Sequence, residues 1–289
     1  MGVVLAVDVG GTKLAAGRVD DGGRLLARAS APTPRETDAD GLLDALIEVI
    51  DEVRQGDEEA FGVGSGGPMA PFGDTVSPLN IPAWREFPLR SRLQRIFDLP
   101  TAVDNDAKAL ALAEGWVGGA VDVRDYLAMV VSTGVGGGIV LDGRLLDGAA
   151  GNAGHIGHVI VEPGGLLCPC GARGCLEAEA SGTAIRASTG RPASEATPEV
   201  VARTGLLVGR AVASVCNLLD LRLALVAGSV ALGFGEPFFA AAQAELDVSA
   251  LLDFSLDAEI RPAGLGDEGP LIGAGAVGWR ALGRDVLNT

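Results

Sequence analysis

One histidine and three cysteines in this chain are spaced as a metal set: His158, then Cys168, Cys170 and Cys175. One imidazole and three thiolates complete the tetrahedron that a structural zinc ion takes. The stretch is rich in turn formers, with Pro163-Gly164-Gly165, Cys170-Gly171 and Gly174-Cys175, so tight turns let the ligands converge. No CxxC pair is present, which weighs against dithiol redox chemistry. The HxE and PCxxC spacings of zinc deaminases are absent as well. Cys216 stands alone within a helical pattern and reads as a core residue.

Asp104-Asn105-Asp106 stands directly before the helix formers DAKALALAE. A carboxylate at that place is a general-base candidate, because phosphoryl transfer to an alcohol needs an acceptor for the hydroxyl proton. A helix N-terminus would keep Asp106 ionised. The other reading is a plain helix cap, and local sequence alone favours it. Two glycine-rich turns offer a third kind of chemistry. One holds Gly10, Gly11, Thr12 and Lys13; the other holds Thr133, Gly134, Gly136 and Gly137. Without a Cβ, backbone N–H groups can approach phosphate oxygens closely. A single such turn is usually only a turn, but two matched ones suggest a phosphate clamp. The run 273–278 (GAGAVG) also fits GxGxxG. It lacks the βαβ setting and the acidic residue about 20 positions on that dinucleotide binding requires, so close packing is the expected reason for its glycines.

The elements that must position these groups follow from periodicity. Residues 3–7 form an apolar run, 8–13 a glycine turn, 14–19 a second strand, 20–23 a second turn and 24–29 a third strand. The same order recurs in 126–131, 132–138, 139–141, 142–143 and 144–146. The recurrence predicts two domains with one core topology, with two unrelated hairpins as the alternative. Leu42, Leu43, Leu46, Ile47, Ile50 and Val53 lie at helical spacing behind a cap at Asp38 or Asp40. Residues 106–114, 198–219 and 271–282 read as further helices, and 223–227 as a buried strand before Gly228. The expected domains are 1–117 with 271–289, the smaller, and 118–270, the larger and carrying the zinc loop.

Length and charge bound the rest. The chain has 289 residues, enough for two domains of roughly 120–170 residues each. No apolar run reaches the roughly 18 residues of a membrane span, and the first residues lack the pattern of a signal peptide, so the expected compartment is the cytoplasm. A formal charge of −16 argues against nucleic acid as a partner.

With these pieces assembled, the chain resembles the ROK family (repressors, uncharacterised open reading frames and sugar kinases). The resemblance runs through DVGGTK at 8–13, GSGGPM at 64–69, LNIPAW at 79–84, DNDA at 104–107 and STGVGGG at 132–138. It continues through GHIGH at 154–158, CPCGARGCLEAEASG at 168–182 and LVAGSVA at 225–231. It implies an α/β fold of the actin-like (ribonuclease H-like) two-domain kinase kind, with ATP and sugar in an interdomain cleft. It implies ATP-dependent phosphorylation of a hexose hydroxyl, usually the 6-OH, with Asp106 as base. Gly67, Asn80, Asn105, Asp106, His155, His158 and Glu177 would face the sugar. Asp8 would help hold Mg²⁺, and Gly228 would join the two glycine turns on the nucleotide. Zinc would order the loop carrying His158 and Glu177. Family members are commonly homodimers.

One position departs from the family pattern. His155 stands where a glutamate is usual, and neutral imidazole offers one donor and one acceptor where a carboxylate accepts several hydrogen bonds. Glucose is the first expectation for the sugar. N-acetylmannosamine, N-acetylglucosamine, mannose and fructose are alternatives, and polyphosphate is an alternative donor. Two rivals lie outside catalysis. The repressors carry an N-terminal winged-helix domain, for which the hairpin at residue 3 leaves no room. A non-catalytic sugar sensor would not need Asp106 and both glycine turns intact.

Overall fold

The apolar run at the start of the chain becomes β1 (Val3–Val9), which turns back antiparallel into β2 (Lys13–Asp20) and then β3 (Leu25–Pro32). The structure is a computed structural model and describes residues 2–288; positions 1 and 289 of the expected domain limits lie outside them. Asp38 caps α1 (Ala39–Asp51) by accepting from the Gly41 N–H, and Leu42, Leu43, Leu46, Val49 and Ile50 bury one face of that helix. Each such side chain contributes about 1.5–3 kcal/mol. Next come β4 (Phe61–Ser65), α2 (Leu89–Phe97), β5 (Thr101–Asn105) and α3 (Asp106–Val117). The sheet order is β3-β2-β1-β4-β5, and β1, β4 and β5 run parallel.

The pattern then repeats. β6 (Tyr126–Val131), β7 (Val135–Leu141) and β8 (Arg144–Leu145) form the second meander. The helices α4 (Leu176–Ala180), α5 (Gly182–Thr189) and α6 (Pro198–Leu219) precede β9 (Leu223–Ala227). After it come α7 (Ser229–Phe234), α8 (Glu236–Ser249), β10 (Glu259–Pro262) and α9 (Gly269–Ala281). The second sheet has the order β10-β9-β6-β7-β8, with β6 parallel to β9 and β9 to β10. Read from its own first strand, each sheet has one sequence of neighbours: third, second, first, fourth, fifth. The recurrence seen in the sequence is therefore a repeat of topology.

The chain forms two units. The first holds the residues up to Val121, Leu145–Ala153, and those from Leu265 onward; the second holds Asp122–Arg144 and Gly154–Gly264. The expected limits at 117 and 270 thus shift by a few residues, and the first unit is the larger. The main difference is the segment Leu145–Ala153, which belongs to the first unit. Its anchor is Lys108 on α3. The buried ammonium lies 2.8 Å from Asp147 Oδ1 and donates to the Gly151 carbonyl at 3.1 Å. Asn152 adds a bond from its amide to the Met69 carbonyl at 3.2 Å.

The GxGxxG run lies inside α9, and its glycines serve packing. A methyl on Gly278 would lie 2.9 Å from the Gly62 nitrogen in β4, and one on Gly62 would fall on the Ala274 carbonyl oxygen. A methyl on Gly273 would fall on the Ala109 carbonyl of α3. The helix thus lies backbone against backbone on its own sheet and on α3.

Candidate active site

In the first unit, the chemistry gathers at the carboxyl ends of the parallel strands, where open α/β sheets place their ligands. The register sets Asp8, Gly64 and Asp104 side by side on β1, β4 and β5. One residue later Val9, Ser65 and Asn105 align in the same way. Asn105 is the N-cap of α3, and its Oδ1 accepts from the N–H groups of Ala107 (3.0 Å) and Lys108 (3.4 Å). The cap is therefore Asn105, which leaves Asp106 as the first helical residue, its carboxylate at the positive end of the helix. Gly64 lies between the two acids: a methyl there would be in ordinary contact with both, 3.6 Å from Asp106 Cα and 3.9 Å from Asp8 Oδ1.

Asp8 and Asp106 repel one another. Burial first, and then the charge of Asp106, push the Asp8 carboxyl up to about 7, against the pull of Lys13. Two carboxylates facing each other near a lysine are a donor set suited to a hard divalent cation, whose charge would relieve that repulsion. The first glycine turn lies close by. Gly10 N–H donates to the Lys13 carbonyl at 3.0 Å, and Thr33 ties the turn down through bonds to Gly10 and Thr12. Asn80 lies against this turn, its amide nitrogen 2.5 Å from where a Gly11 methyl would stand. Gly67 accepts from the Leu79 N–H at 3.3 Å and so holds the Asn80 loop. Asp8, Gly10, Gly11, Lys13, Gly67, Asn80, Asn105 and Asp106 are thus brought together in this unit.

The sequence reading missed what lies behind these residues. Asp104 Oδ1 accepts from the Asn105 N–H and pairs with Lys108 Nζ, both at 2.8 Å. Arg280 of α9 reaches Asp104 at 3.7 Å and Asp147 at 3.5 Å. Burial raises the Asp104 carboxyl, with Lys108 opposing. At Asp147 burial also pushes upward, but the hydrogen bond and charge of Lys108, aided by Arg280, hold it below the usual range. A signal was present: Asp104, near the end of β5, stands four residues before Lys108, the one basic residue of α3.

In the second unit the glycine turn follows β6. Ser132 N–H donates to Gly134 O (2.9 Å), Gly182 N–H to Ser132 O (2.7 Å) and Thr183 Oγ1 to Thr133 O (2.8 Å). Gly228, at φ 101°, presses on this turn, since a methyl there would fall on the Val131 carbonyl. Gly136 pairs with Val130 in the ladder, and Gly137 lets Ile156 and Gly154 approach. Glu177 reaches the same turn: its Oε2 accepts from the Val135 N–H at 2.9 Å.

The four metal-set residues also meet in this unit. One ligand atom each from His158, Cys168, Cys170 and Cys175 lies within 4.8 Å of the others. Cys168 Sγ is 3.6 Å from His158 Nδ1, and Cys170 Sγ is 3.6 Å from Cys175 Sγ. Bonds of about 2.0–2.3 Å from one tetrahedral centre give edges of this length. Burial, with the neighbouring sulfurs, pushes the Cys175 thiol up to about 12, so this sulfur needs a cation beside it to act as a thiolate. Gly171 and Gly174 make the loop possible with φ of 94° and 76°, which favour glycine. His155 is exposed and outside the four-residue cluster; its ring centre is 5.9 Å from that of His158.

Two five-stranded sheets of one strand order, each with its polar groups at the ends of parallel strands, define the actin-like two-domain kinase fold. The chain belongs to the ROK family, whose profile matches residues 4–279. It is 39% identical over 247 residues to an N-acetylmannosamine kinase of Citrobacter koseri, covering 80% of this chain and 84% of that one. A ROK hexokinase from Thermus thermophilus superposes with a TM-score of 0.83 at 33% identity, over 98% of this chain and all of the other. A ROK glucokinase from Streptomyces griseus, solved with glucose and AMPPNP, gives 0.85 at 30% identity, over 96% of this chain and 100% of the other.

Proposed function

We propose that this protein is a sugar kinase that transfers the γ-phosphoryl group of ATP to the 6-hydroxyl of N-acetylmannosamine. The observation that carries the chemistry is the Asp106 carboxylate, placed at the first residue of α3 and facing Asp8. Asp106 accepts the proton of the sugar hydroxyl as the phosphoryl group arrives. Asn105, its Oδ1 committed to the helix, offers its amide N–H groups to sugar hydroxyls. Asn80, Gly67, His155, His158 and Glu177 complete the sugar-binding set. Asp8 would hold magnesium, which would neutralise phosphate charge, and the two glycine turns, 10–13 and 133–137, with Gly228, would line the phosphates. His158, Cys168, Cys170 and Cys175 would hold a zinc ion, which would fix the loop between His158 and Glu177.

The choice of N-acetylmannosamine over glucose, the first expectation from sequence, rests on the curated relatives at 39% identity. It agrees with His155, which cannot accept several hydroxyl hydrogen bonds as a glutamate does. Glucose stays as a second reading because the Streptomyces neighbour was solved with it. The test is ADP release with N-acetylmannosamine, N-acetylglucosamine, glucose and mannose, repeated with polyphosphate as donor. N-acetylmannosamine with ATP is expected to give the highest kcat/KM, and His155→Glu to shift the ranking. Asp106→Asn is expected to lower kcat about 10²–10⁴-fold. A higher kcat/KM for glucose overturns the substrate, and near-normal turnover in folded Asp106→Asn overturns the base.

A further inference from the structure

Glu177 has one carboxylate oxygen committed away from any sugar. Its Oε2 accepts from the Val135 N–H at 2.9 Å, and Gly134 is its immediate neighbour. A methyl on Gly134 would lie 2.8 Å from that oxygen, so glycine is needed for the carboxylate to reach the turn. On the carbonyl side of Val135, a methyl on Gly157 would fall on the carbonyl oxygen. The first residue of β7 is thus gripped from both sides, by α4 at its N–H and by the turn before His158 at its carbonyl.

α4 is itself held at both ends. Its first residue, Leu176, donates its N–H to the Val159 carbonyl at 2.9 Å, and Ser181 beyond it donates back to Glu177 O at 3.2 Å. The residues that follow continue the grip, through Gly182 on Ser132 and Thr183 on Thr133. The segment 177–183 thus holds residues 132, 133 and 135 by hydrogen bonds.

We infer that Glu177 is a positioning residue for the phosphate-binding turn 132–135, in addition to any contact with sugar, and so links acceptor and donor binding through its two oxygens. The inference rests on the kinase reading above and deepens it. A sugar hydroxyl on Oε1 orients the carboxylate that holds Val135, so acceptor binding stiffens the donor turn. A charge-assisted hydrogen bond of this kind is among the stronger ones, so its loss is felt at the turn.

The experiment measures the Kd of AMPPNP with magnesium, in the absence of sugar, by calorimetry. Samples are the zinc-loaded wild type, Glu177→Ala, Glu177→Gln, Gly134→Ala and the double variant. Glu177→Ala is expected to weaken nucleotide binding about tenfold. Glu177→Gln, whose amide oxygen still accepts from Val135, is expected to recover most of that loss while sugar KM stays raised. Gly134→Ala should act through the same oxygen, so the double variant should be no worse than the poorer single one. Unchanged nucleotide Kd, within about twofold, in folded Glu177→Ala overturns the inference, as do fully additive losses. Should the wild type bind no nucleotide, the kinase reading falls by itself. Hydrogen exchange at Val135 then decides the link: faster exchange in Glu177→Ala at unchanged zinc content supports it, and unchanged exchange overturns it.

Discussion

The Asp8 carboxyl is the residue whose chemistry leaves the clearest trace outside catalysis. Its acid form is favoured in the fold by burial and by Asp106, with a value of about 7 against 3.8 for the free side chain. The native state therefore holds a proton that the unfolded chain releases. That contribution is complete below about pH 4 and is lost as pH rises toward about 7. Its scale is on the order of 4 kcal/mol. Melting without divalent cations should show stability falling across this window for the wild type relative to Asp8→Asn, which has no such proton. Added magnesium should shrink the difference, since a cation on Asp8 favours the ionised form. Identical pH profiles for the two proteins would sink this account. The residue types that gather at this scale stand out in the sequence: Asp106, both glycine turns and the His158–Cys175 set. The partners of those residues do not. Which of Asn105 and Asp106 caps α3 depends on backbone geometry, and the closeness of Asp8 to Asp106 depends on strand register.

Among the elements, α3 and the segment Leu145–Ala153 depend on one side chain. Lys108 is buried between Asp104 and Asp147, at 2.8 Å from each. Lys108→Met keeps the length and the apolar packing but strands two carboxylates. Breaking a buried pair costs about 3–5 kcal/mol; the half-exposed Asp147 recovers part of that in water, so a loss near ~3 kcal/mol is expected. Urea melts check the loss, and Asp104→Asn added to Lys108→Met should restore about half of it. A Lys108→Met protein as stable as wild type would show that the ammonium contributes nothing. The elements differed in how plainly they could be read. α1 and α6 carry strong periodicity, and the long helix Pro198–Leu219 is legible with its observed limits, whereas α9 is apolar and buried all round. β4 and β5 were missed. β4 reads Phe-Gly-Val-Gly-Ser, and its glycines look like a turn, although Gly62 is there for α9 and Gly64 sits in the ladder between Asp8 and Asp104. α8 was missed because alanine blurs its pattern; its buried positions, Phe238, Ala242 and Leu246, are only three.

At the scale of the molecule, metal binding and chain path matter most. Metal analysis of untagged protein should find about one zinc per chain. Cys170→Ser should lose it and lower the melting temperature by about 10 °C, since a few kcal/mol at roughly 2–4 °C each is at stake. A metal-free wild type with unchanged melting would overturn the zinc assignment. The two-fold recurrence of the strands made the architecture readable from sequence, whereas the return of Leu145–Ala153 to the first unit, anchored on a buried lysine, did not show. The path of the chain also orders its own birth. The sheet β3-β2-β1-β4-β5 is complete once Asn105 is made, yet the face that meets Gly62 waits for α9, which starts at Gly269. The residues of the second unit all come before Leu265. During synthesis from the N-terminus, the half that is begun first is therefore finished last, and a chain made only as far as Gly264 holds every residue of the second half while the first half is still open along one face of its sheet.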